Sequence, residues 1–174
     1  MRTVELVCDD DVDRVVRDTW HRLRAAGLPS LATNEHPTNR PHLTLAEADD
    51  VPDDAVRELL AEALPLGLAL GAVGVFRTRR GAAVHAVVVP DPALVELHRR
   101  VHALLVEASC DPRAHLAPGS WAPHVSVALR VPDEQVGACL DVLGRGLQGT
   151  TGAWTAARSY TSDVRTVVDL WPRR

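Results

Sequence analysis

Hydrophobic residues recur along the chain with helical and strand periods, and the two patterns alternate. Apolar positions such as Val12, Val16 and Trp20 lie on one side of a helical wheel and predict an amphipathic helix over residues 11–26. Gly27 follows this segment directly and ends the helix, because glycine readily adopts the left-handed conformation found after helices. Short apolar runs before and after it predict strands.

The same patterns divide the whole chain into alternating elements. The predicted strands cover residues 2–7, 42–46, 66–76, 82–89, 124–129, 148–157 and 165–171, and the predicted helices cover residues 11–26, 51–63, 92–108 and 133–143. Irregular segments at residues 30–40 and 110–122 precede the middle strand of each half. Each half of the chain is therefore predicted to contain, in this order, a strand, a helix, a strand, a helix and a strand.

Two pairs of matching segments suggest that the chain is internally duplicated. Pro-His-Leu-Thr-Leu-Ala at residues 41–46 is echoed by Pro-His-Val-Ser-Val-Ala at residues 123–128, 82 positions later. Val-Pro-Asp-Asp-Ala-Val at residues 51–56 is echoed by Val-Pro-Asp-Glu-Gln-Val at residues 131–136. We therefore predict one α+β domain over residues 1–174. It would have two pseudo-symmetric lobes, from about 1–78 and 79–174, each a mainly antiparallel sheet with helices outside.

Charge and composition restrict the possible functions. The net charge of −4 argues against a broad surface for double-stranded nucleic acid. All 19 basic residues are arginine, which excludes a lysine Schiff base, a P-loop lysine and a lysyl-nucleotide intermediate. No apolar run is long enough to span a membrane, and no secretory leader is recognisable. We therefore predict a cytoplasmic protein whose three cysteines are reduced, and we expect it to be a monomer.

Two histidine motifs lie on the predicted middle strands. Residues two apart on a strand project from one face, about 6.6 Å apart, so His42 shares a face with Thr44, and His124 with Ser126. If these faces meet, one imidazole can accept a proton from the attacking oxygen while the other protonates the leaving oxygen. The hydroxyls can stabilise charge on a phosphoryl group. This arrangement predicts phosphoester chemistry without a metal or cofactor and leaves open which histidine is the acid.

Over essentially its whole length the chain resembles the 2H phosphoesterase superfamily, the 2′,5′ RNA ligase-like and cyclic phosphodiesterase proteins. The resemblance rests on the paired His-x-Thr and His-x-Ser motifs at residues 42–44 and 124–126. It implies a bilobal fold with the motifs facing a central groove. It also implies activity on 2′,3′-cyclic phosphate or 2′,5′-phosphodiester bonds of RNA ends or nucleotides. His42 and His124 would be catalytic, and Thr44 and Ser126 would bind phosphate.

Four further residues are candidates for the same groove. Arg130 would share the face of the second motif, and bind phosphate, if its strand stays regular. Phe76 and Trp121 are candidates for stacking on a base. His85 interrupts an apolar strand and either faces the groove or is an interior group. Solvated or core positions explain these residues as well.

Two other functions fit parts of the sequence. The chain could be a module that binds an RNA end or a nucleotide phosphate without turnover. A zinc hydrolase is the second alternative, because His98 and His102 lie four apart on a predicted helix. Arg99 and Arg100 stand where a metalloprotease motif would need glutamate, so an exposed helix face explains this pair better.

Overall fold

The computed structural model describes residues 1–144 and 146–172, which form strands and helices in the predicted order. The strands are β1 (Arg2–Cys8), β2 (His42–Ala48), β3 (Leu66–Thr78), β4 (Gly81–Val88), β5 (His124–Val131), β6 (Thr151–Thr161) and β7 (Thr166–Trp171). The helices are α1 (Asp10–Ala25), α2 (Asp53–Ala63), α3 (Pro92–Glu107) and α4 (Val136–Leu143). Among the described helices, none has the length and apolar character needed to cross a bilayer.

Helix α1 begins where its sequence satisfies the free amides of the first turn. The carboxylate of Asp9 accepts a hydrogen bond from the Val12 amide at 2.9 Å, and three more aspartates lie within the first turn. Val16 and Trp20 continue the buried face. Helix α3 is capped in the same way by Asp91, whose carboxylate accepts from the Leu94 amide at 2.8 Å. Both middle strands are thus preceded by a helix with a sharply defined start.

The strands form an antiparallel sheet whose pairings close on themselves. The strand order is β1-β2-β5-β4-β3-β6-β7, and β6 pairs with β1 as well. Strand β6 reaches both neighbours because Thr151 to Trp154 pair with β3, whereas Trp154 to Thr161 pair with β1. On the other side of the ring, β2 and β5 meet through one residue pair, Leu43 and Val125. The α+β class and the mainly antiparallel sheet predicted from the sequence are confirmed.

The helices pack in two groups that each draw on both halves of the chain. Helix α1 contacts α4, β5 and β6, whereas α2 contacts α3 and β7, and α3 contacts β2. Strand β3 of the first half pairs with β4 and β6 of the second. The predicted boundary near residue 78 therefore marks the turn between β3 and β4, and the halves interleave on either side of it.

Several element boundaries differ from the prediction by a few residues, and three of them have local reasons. The helix expected over residues 133–143 begins as a 3₁₀ turn, Asp133–Gln135, and becomes α-helical at Val136. Strand β6 begins at Thr151 and not at residue 148, because Gly149 adopts a φ of 82° in the preceding turn. Strand β5 extends to Val131 with bulges that its apolar pattern did not reveal.

Candidate active site

The two motif histidines occupy equivalent places on adjacent strands. His42 is the first residue of β2, and His124 is the first residue of β5. Leu43 and Val125 are paired across the two strands, and both side chains are buried in the core. The neighbours of these two residues along each strand therefore project from the opposite face of the sheet. In an antiparallel pair His42 then lies across from Ser126, and His124 across from Thr44. His42 and His124 are therefore diagonal neighbours across the two strands, and the Cα atoms of such neighbours are usually about 7–8 Å apart.

Both imidazoles are held in the same orientation by the backbone. His42 Nδ1 lies 2.7 Å from the carbonyl oxygen of Arg40, and His124 Nδ1 lies 2.7 Å from that of Ala122. A carbonyl oxygen can only accept, so each Nδ1 carries the hydrogen and donates it. Each Nε2 is therefore left to exchange a proton with a substrate.

Two tryptophan indoles fix the backbone at the motif hydroxyl residues. Trp121 Nε1 donates to the carbonyl oxygen of Thr44 at 3.0 Å, and Trp20 Nε1 donates to that of Ser126 at 3.1 Å. Trp20 is fully buried in α1, so the second motif strand is tied to a rigid helix. Anchoring of this kind keeps the hydroxyls at fixed distances from the imidazoles on the same strands.

A buried carboxylate faces the first histidine. Glu5 lies opposite Thr44 in the β1–β2 register, is only 3% exposed, and places Oε1 3.7 Å from His42 Nε2. Its other oxygen accepts from Arg158 Nε at 2.7 Å, and Oε1 accepts from the Thr3 hydroxyl at 2.8 Å. Burial alone would raise the pKa of Glu5, but positive charge on His42 and Arg158 outweighs it and lowers the pKa. Glu5 is thus an anion at the edge of the site.

A cluster of aromatic rings, of which His85 is buried and Phe76 is partly exposed, flanks the second histidine. His85 on β4 lies opposite Ser126, is 3% exposed, and stacks with its ring centroid 4.3 Å from those of both His124 and Phe76. Phe76 also meets His124 edge-on, with the centroids 5.2 Å apart. Neither ring nitrogen of His85 has a hydrogen-bond partner among the described residues. Phe76 and His85, both candidates for the groove, therefore lie beside His124.

Charge is disfavoured in this cluster. Burial lowers the pKa of His85 to about 4, and positive charge on His124 contributes to the same shift. Burial also lowers the pKa of His124; the hydrogen bond to Ala122 opposes this shift, and positive charge on His42 adds to it. His42 therefore lies close enough to His124 to lower the pKa of His124, whose ring neighbours His85 and Phe76 are neutral.

Arg130 and Trp121, two further candidates from the sequence, have different surroundings from the motif residues. The expectation for Arg130 required a regular strand, but β5 carries two register shifts against β4, and Arg130 adopts a φ of 56°. Regular alternation from His124 and Ser126 therefore does not continue to Arg130, which lines a neighbouring cavity. One face of Trp121 is covered by His98, whose ring is parallel to it at 4.0 Å. Trp121 supports the motif strand and does not offer that face to a base.

The sequence did not single out Glu5 or Arg158. A charged residue at a central position of an apolar strand was the available signal for Glu5, because Val4, Leu6 and Val7 surround it. Arg158 could be recognised only after β6 was known to pair with β1, which places it opposite Glu5. His98, considered for zinc, bonds to the carbonyl oxygen of Leu116. Within residues 1–144 and 146–172, no three or more His, Cys, Asp or Glu side chains are grouped as a metal site.

Comparison with known families matches this arrangement to one of them. The model of the 2′-5′ RNA ligase superfamily matches residues 12–164 of the chain, a span that includes both histidine motifs. The chain belongs to this superfamily, the 2H phosphoesterases. The resemblance predicted from the motifs is thereby confirmed. No curated protein sequence matches the chain.

Solved structures of other 2H phosphoesterases share the fold. Escherichia coli LigT, in a complex with NADP⁺, is 13% identical, with a TM-score of 0.55 over 97% of this chain and 91% of LigT. Kluyveromyces marxianus Usb1 with uridine monophosphate is 12% identical, with a TM-score of 0.51 over 97% of this chain and 96% of Usb1. Usb1 from the same yeast, in another structure, gives 11% identity and a TM-score of 0.52. At these identities the likeness extends to the fold alone.

Proposed function

We propose that this 2H phosphoesterase is a metal-independent phosphodiesterase that acts on 2′,3′-cyclic phosphate or 2′,5′-phosphodiester bonds of RNA ends or nucleotides. The observation that carries the proposal is the pairing of Leu43 with Val125, which brings the two histidine motifs side by side on adjacent strands. Both imidazoles have Nδ1 engaged by a carbonyl oxygen, which leaves Nε2 for proton transfer. Thr44 and Ser126 would bind the non-bridging phosphoryl oxygens.

We assign His42 as the general acid and His124 as the general base for cyclic phosphate hydrolysis. The two histidines differ in their neighbours, since a carboxylate oxygen of Glu5 lies 3.7 Å from His42 Nε2 and can orient an N–H that is later donated to the leaving oxygen. The buried His85 ring and the Phe76 ring beside His124 favour a neutral imidazole, which can accept a proton. Glu5 acts as a positioning residue through His42.

The reaction balances with these roles. His124 Nε2 takes a proton from a water molecule, whose oxygen forms the new bond to phosphorus. The bond from phosphorus to one ribose oxygen breaks, and His42 Nε2 gives its proton to that oxygen. The product is a phosphomonoester with a free ribose hydroxyl, and exchange with solvent restores the starting protonation of both rings.

Phe76 is the residue we propose for contact with a base. Its side chain is 38% exposed although it packs against His85 and His124, so one part of the ring is available to a ligand. A nucleoside held there would have its ribose phosphate close to His124. The uridine monophosphate found with yeast Usb1 makes a small nucleotide a reasonable first ligand to test.

We also propose a two-lobed, internally duplicated architecture for the domain, with the motif strands facing a central groove. The pair that joins β2 and β5, Leu43 and Val125, consists of residues at equivalent positions of the two sequence motifs. An approximate two-fold axis between them would also relate Glu5, opposite Thr44, to His85, opposite Ser126. A cytoplasmic location and a monomeric state remain predictions from the sequence.

The test is turnover of nucleoside 2′,3′-cyclic phosphates and 2′,5′-linked dinucleotides in the presence of a chelator. Wild type should be active, and His42→Ala or His124→Ala should lower kcat/KM by at least about 10²-fold. His21→Ala, an exposed histidine of α1, is the matched control. Activity that requires added metal, or that survives both substitutions, would refute the mechanism. Nucleotide binding without turnover would indicate a binding module instead.

A further inference from the structure

Four arginines stand out because nothing in the described part of the chain engages their side chains. Arg79, Arg80, Arg130 and Arg165 have no side-chain hydrogen bond or ion pair with residues 1–144 or 146–172. Every other described arginine has at least one. Even exposed arginines such as Arg14 and Arg99 are paired with acids one helical turn away. These four guanidinium groups thus lack an acidic partner among the described residues, although the chain carries a net charge of −4.

The four side chains, which we call the arginine rim, surround two adjoining cavities. Arg130 and Arg165 line a cavity of about 540 Å³, together with polar residues that include Tyr160. Arg79 and Arg80 line a second cavity of about 320 Å³, which shares Leu129 and Arg130 with the first. Two turns, β3–β4 and β6–β7, and the end of strand β5 therefore present positive charge to one continuous surface. The first cavity has the volume of an ordinary small-molecule site.

Unusual backbone geometry brings the rim together. Gly81, at a φ of 102°, lets the β3–β4 turn approach β5 so closely that a Cβ at this position would lie 2.4 Å from the carbonyl oxygen of Val131. Arg130 and Arg165 themselves have positive φ values of 56° and 53°. Residues other than glycine rarely adopt this conformation, and where they do, it often accompanies a functional site.

The larger cavity adjoins the groove of the proposed reaction. Tyr160, in its wall, lies opposite Thr3 in the β1–β6 register. The Thr3 hydroxyl bonds to Glu5, which faces His42. Tyr160 and Arg158 are two apart on one strand face, about 6.6 Å along it. The cavity wall is therefore linked, through Tyr160 and Thr3, to the carboxylate that borders the site.

We propose that the cavity between Arg130 and Arg165 binds a second phosphate of the substrate, and that Arg79 and Arg80 extend this binding surface. The inference rests on the proposed function and narrows its substrate class to nucleotides or short oligonucleotides with a phosphate beyond the reacting one. Guanidinium groups suit this role, because each offers paired donors that match two phosphate oxygens. A mononucleoside cyclic phosphate would use only part of the site.

Equilibrium binding of product-like ligands tests this proposal without any turnover. Uridine 3′-monophosphate is compared with uridine 3′,5′-bisphosphate and with the dinucleotide UpUp, by calorimetry at two salt concentrations. The measured quantity is the ratio of affinities for two-phosphate and one-phosphate ligands. In wild type this ratio should be about tenfold for at least one of the two larger ligands, and it should fall as salt is added.

The paired variant Arg130→Gln/Arg165→Gln should reduce the ratio to nearly one. The control Arg14→Gln/Arg99→Gln removes two exposed arginines of α1 and α3 and should leave the ratio unchanged. A gain from the bisphosphate alone identifies a 5′-phosphate as the second group, and a gain from UpUp alone identifies an internucleotide phosphate. Equal affinity for all three ligands in wild type, or an unchanged ratio in the rim variant, would overturn the proposal. Because no step is catalysed, these outcomes do not depend on whether cyclic phosphates are hydrolysed.

Discussion

Replacement of His85 should make the protein less sensitive to acid. His85 is 3% exposed, stacks between Phe76 and His124, and has no hydrogen-bond partner among the described residues, so its positive form is strongly disfavoured in the fold. Its pKa is lowered from 6.5 to about 4. In the unfolded chain the same imidazole is solvated and binds a proton more readily.

The sign and size of the effect follow from proton linkage. Between pH 6.5 and 4 the unfolded state binds more protons than the native state, so stability is fully present above this range and is lost as the pH falls through it. One pKa unit corresponds to about 1.36 kcal/mol. Relative to neutral pH, the neutral state of His85 therefore lowers the free energy of unfolding by about 2 kcal/mol at pH 5 and by at most about 3 kcal/mol at pH 4.

The assay is urea unfolding of wild type and His85→Leu between pH 8 and pH 4.5. Leucine keeps an apolar side chain of similar size and cannot titrate, so the variant should lose about 2 kcal/mol less than wild type between pH 8 and pH 5. His21→Leu, at an exposed position of α1, shows whether any histidine replacement has this effect. Parallel stability curves for wild type and His85→Leu would show that His85 is not held neutral by the fold.

Two other substitutions test the groove and the rim. Glu5→Gln should lower kcat/KM for cyclic phosphates about tenfold to hundredfold, because the anion facing His42 is lost, and Glu47→Gln on the same motif strand should not; equal rates would remove Glu5 from the mechanism. The Glu5→Gln variant should also have a free energy of unfolding about 3–5 kcal/mol lower than wild type in urea unfolding, because the buried guanidinium of Arg158 loses the negative charge that neutralises it. Gly81→Ala should destabilise the fold by about 1–3 kcal/mol more than Gly119→Ala, because both glycines have positive φ but only the first meets a strand carbonyl; similar losses would contradict the close approach.

The sequence predicted the positions of the motif residues because strand periodicity is strict. Alternation along residues 42–46 and 124–128 required His42 and Thr44 to share one face and His124 and Ser126 another, with Leu43 and Val125 buried between. The matching sequence segments predicted the order of the elements around them. These features depend on local pattern, which a sequence displays directly.

Features that depend on register could not be predicted in the same way. Because of the bulges in β5, Arg130 does not follow the alternation that a regular strand would give, and no local sequence pattern indicates these bulges. The ion pair of Glu5 and Arg158 requires β6 to lie beside β1, although the two residues are far apart in the chain. Trp121 was a candidate for stacking on a base, but its contacts with His98 and Thr44 depend on tertiary packing.

The central claim is that both imidazoles act on one phosphorus atom in a single step. It is tested most directly by kcat/KM for a nucleoside 2′,3′-cyclic phosphate in wild type, His42→Ala, His124→Ala and the double variant. If the two rings act as a unit, the double variant should lose no more than about tenfold beyond either single variant. Losses that multiply, so that the double variant shows the product of the two single effects, would mean that the histidines act independently and would contradict the account.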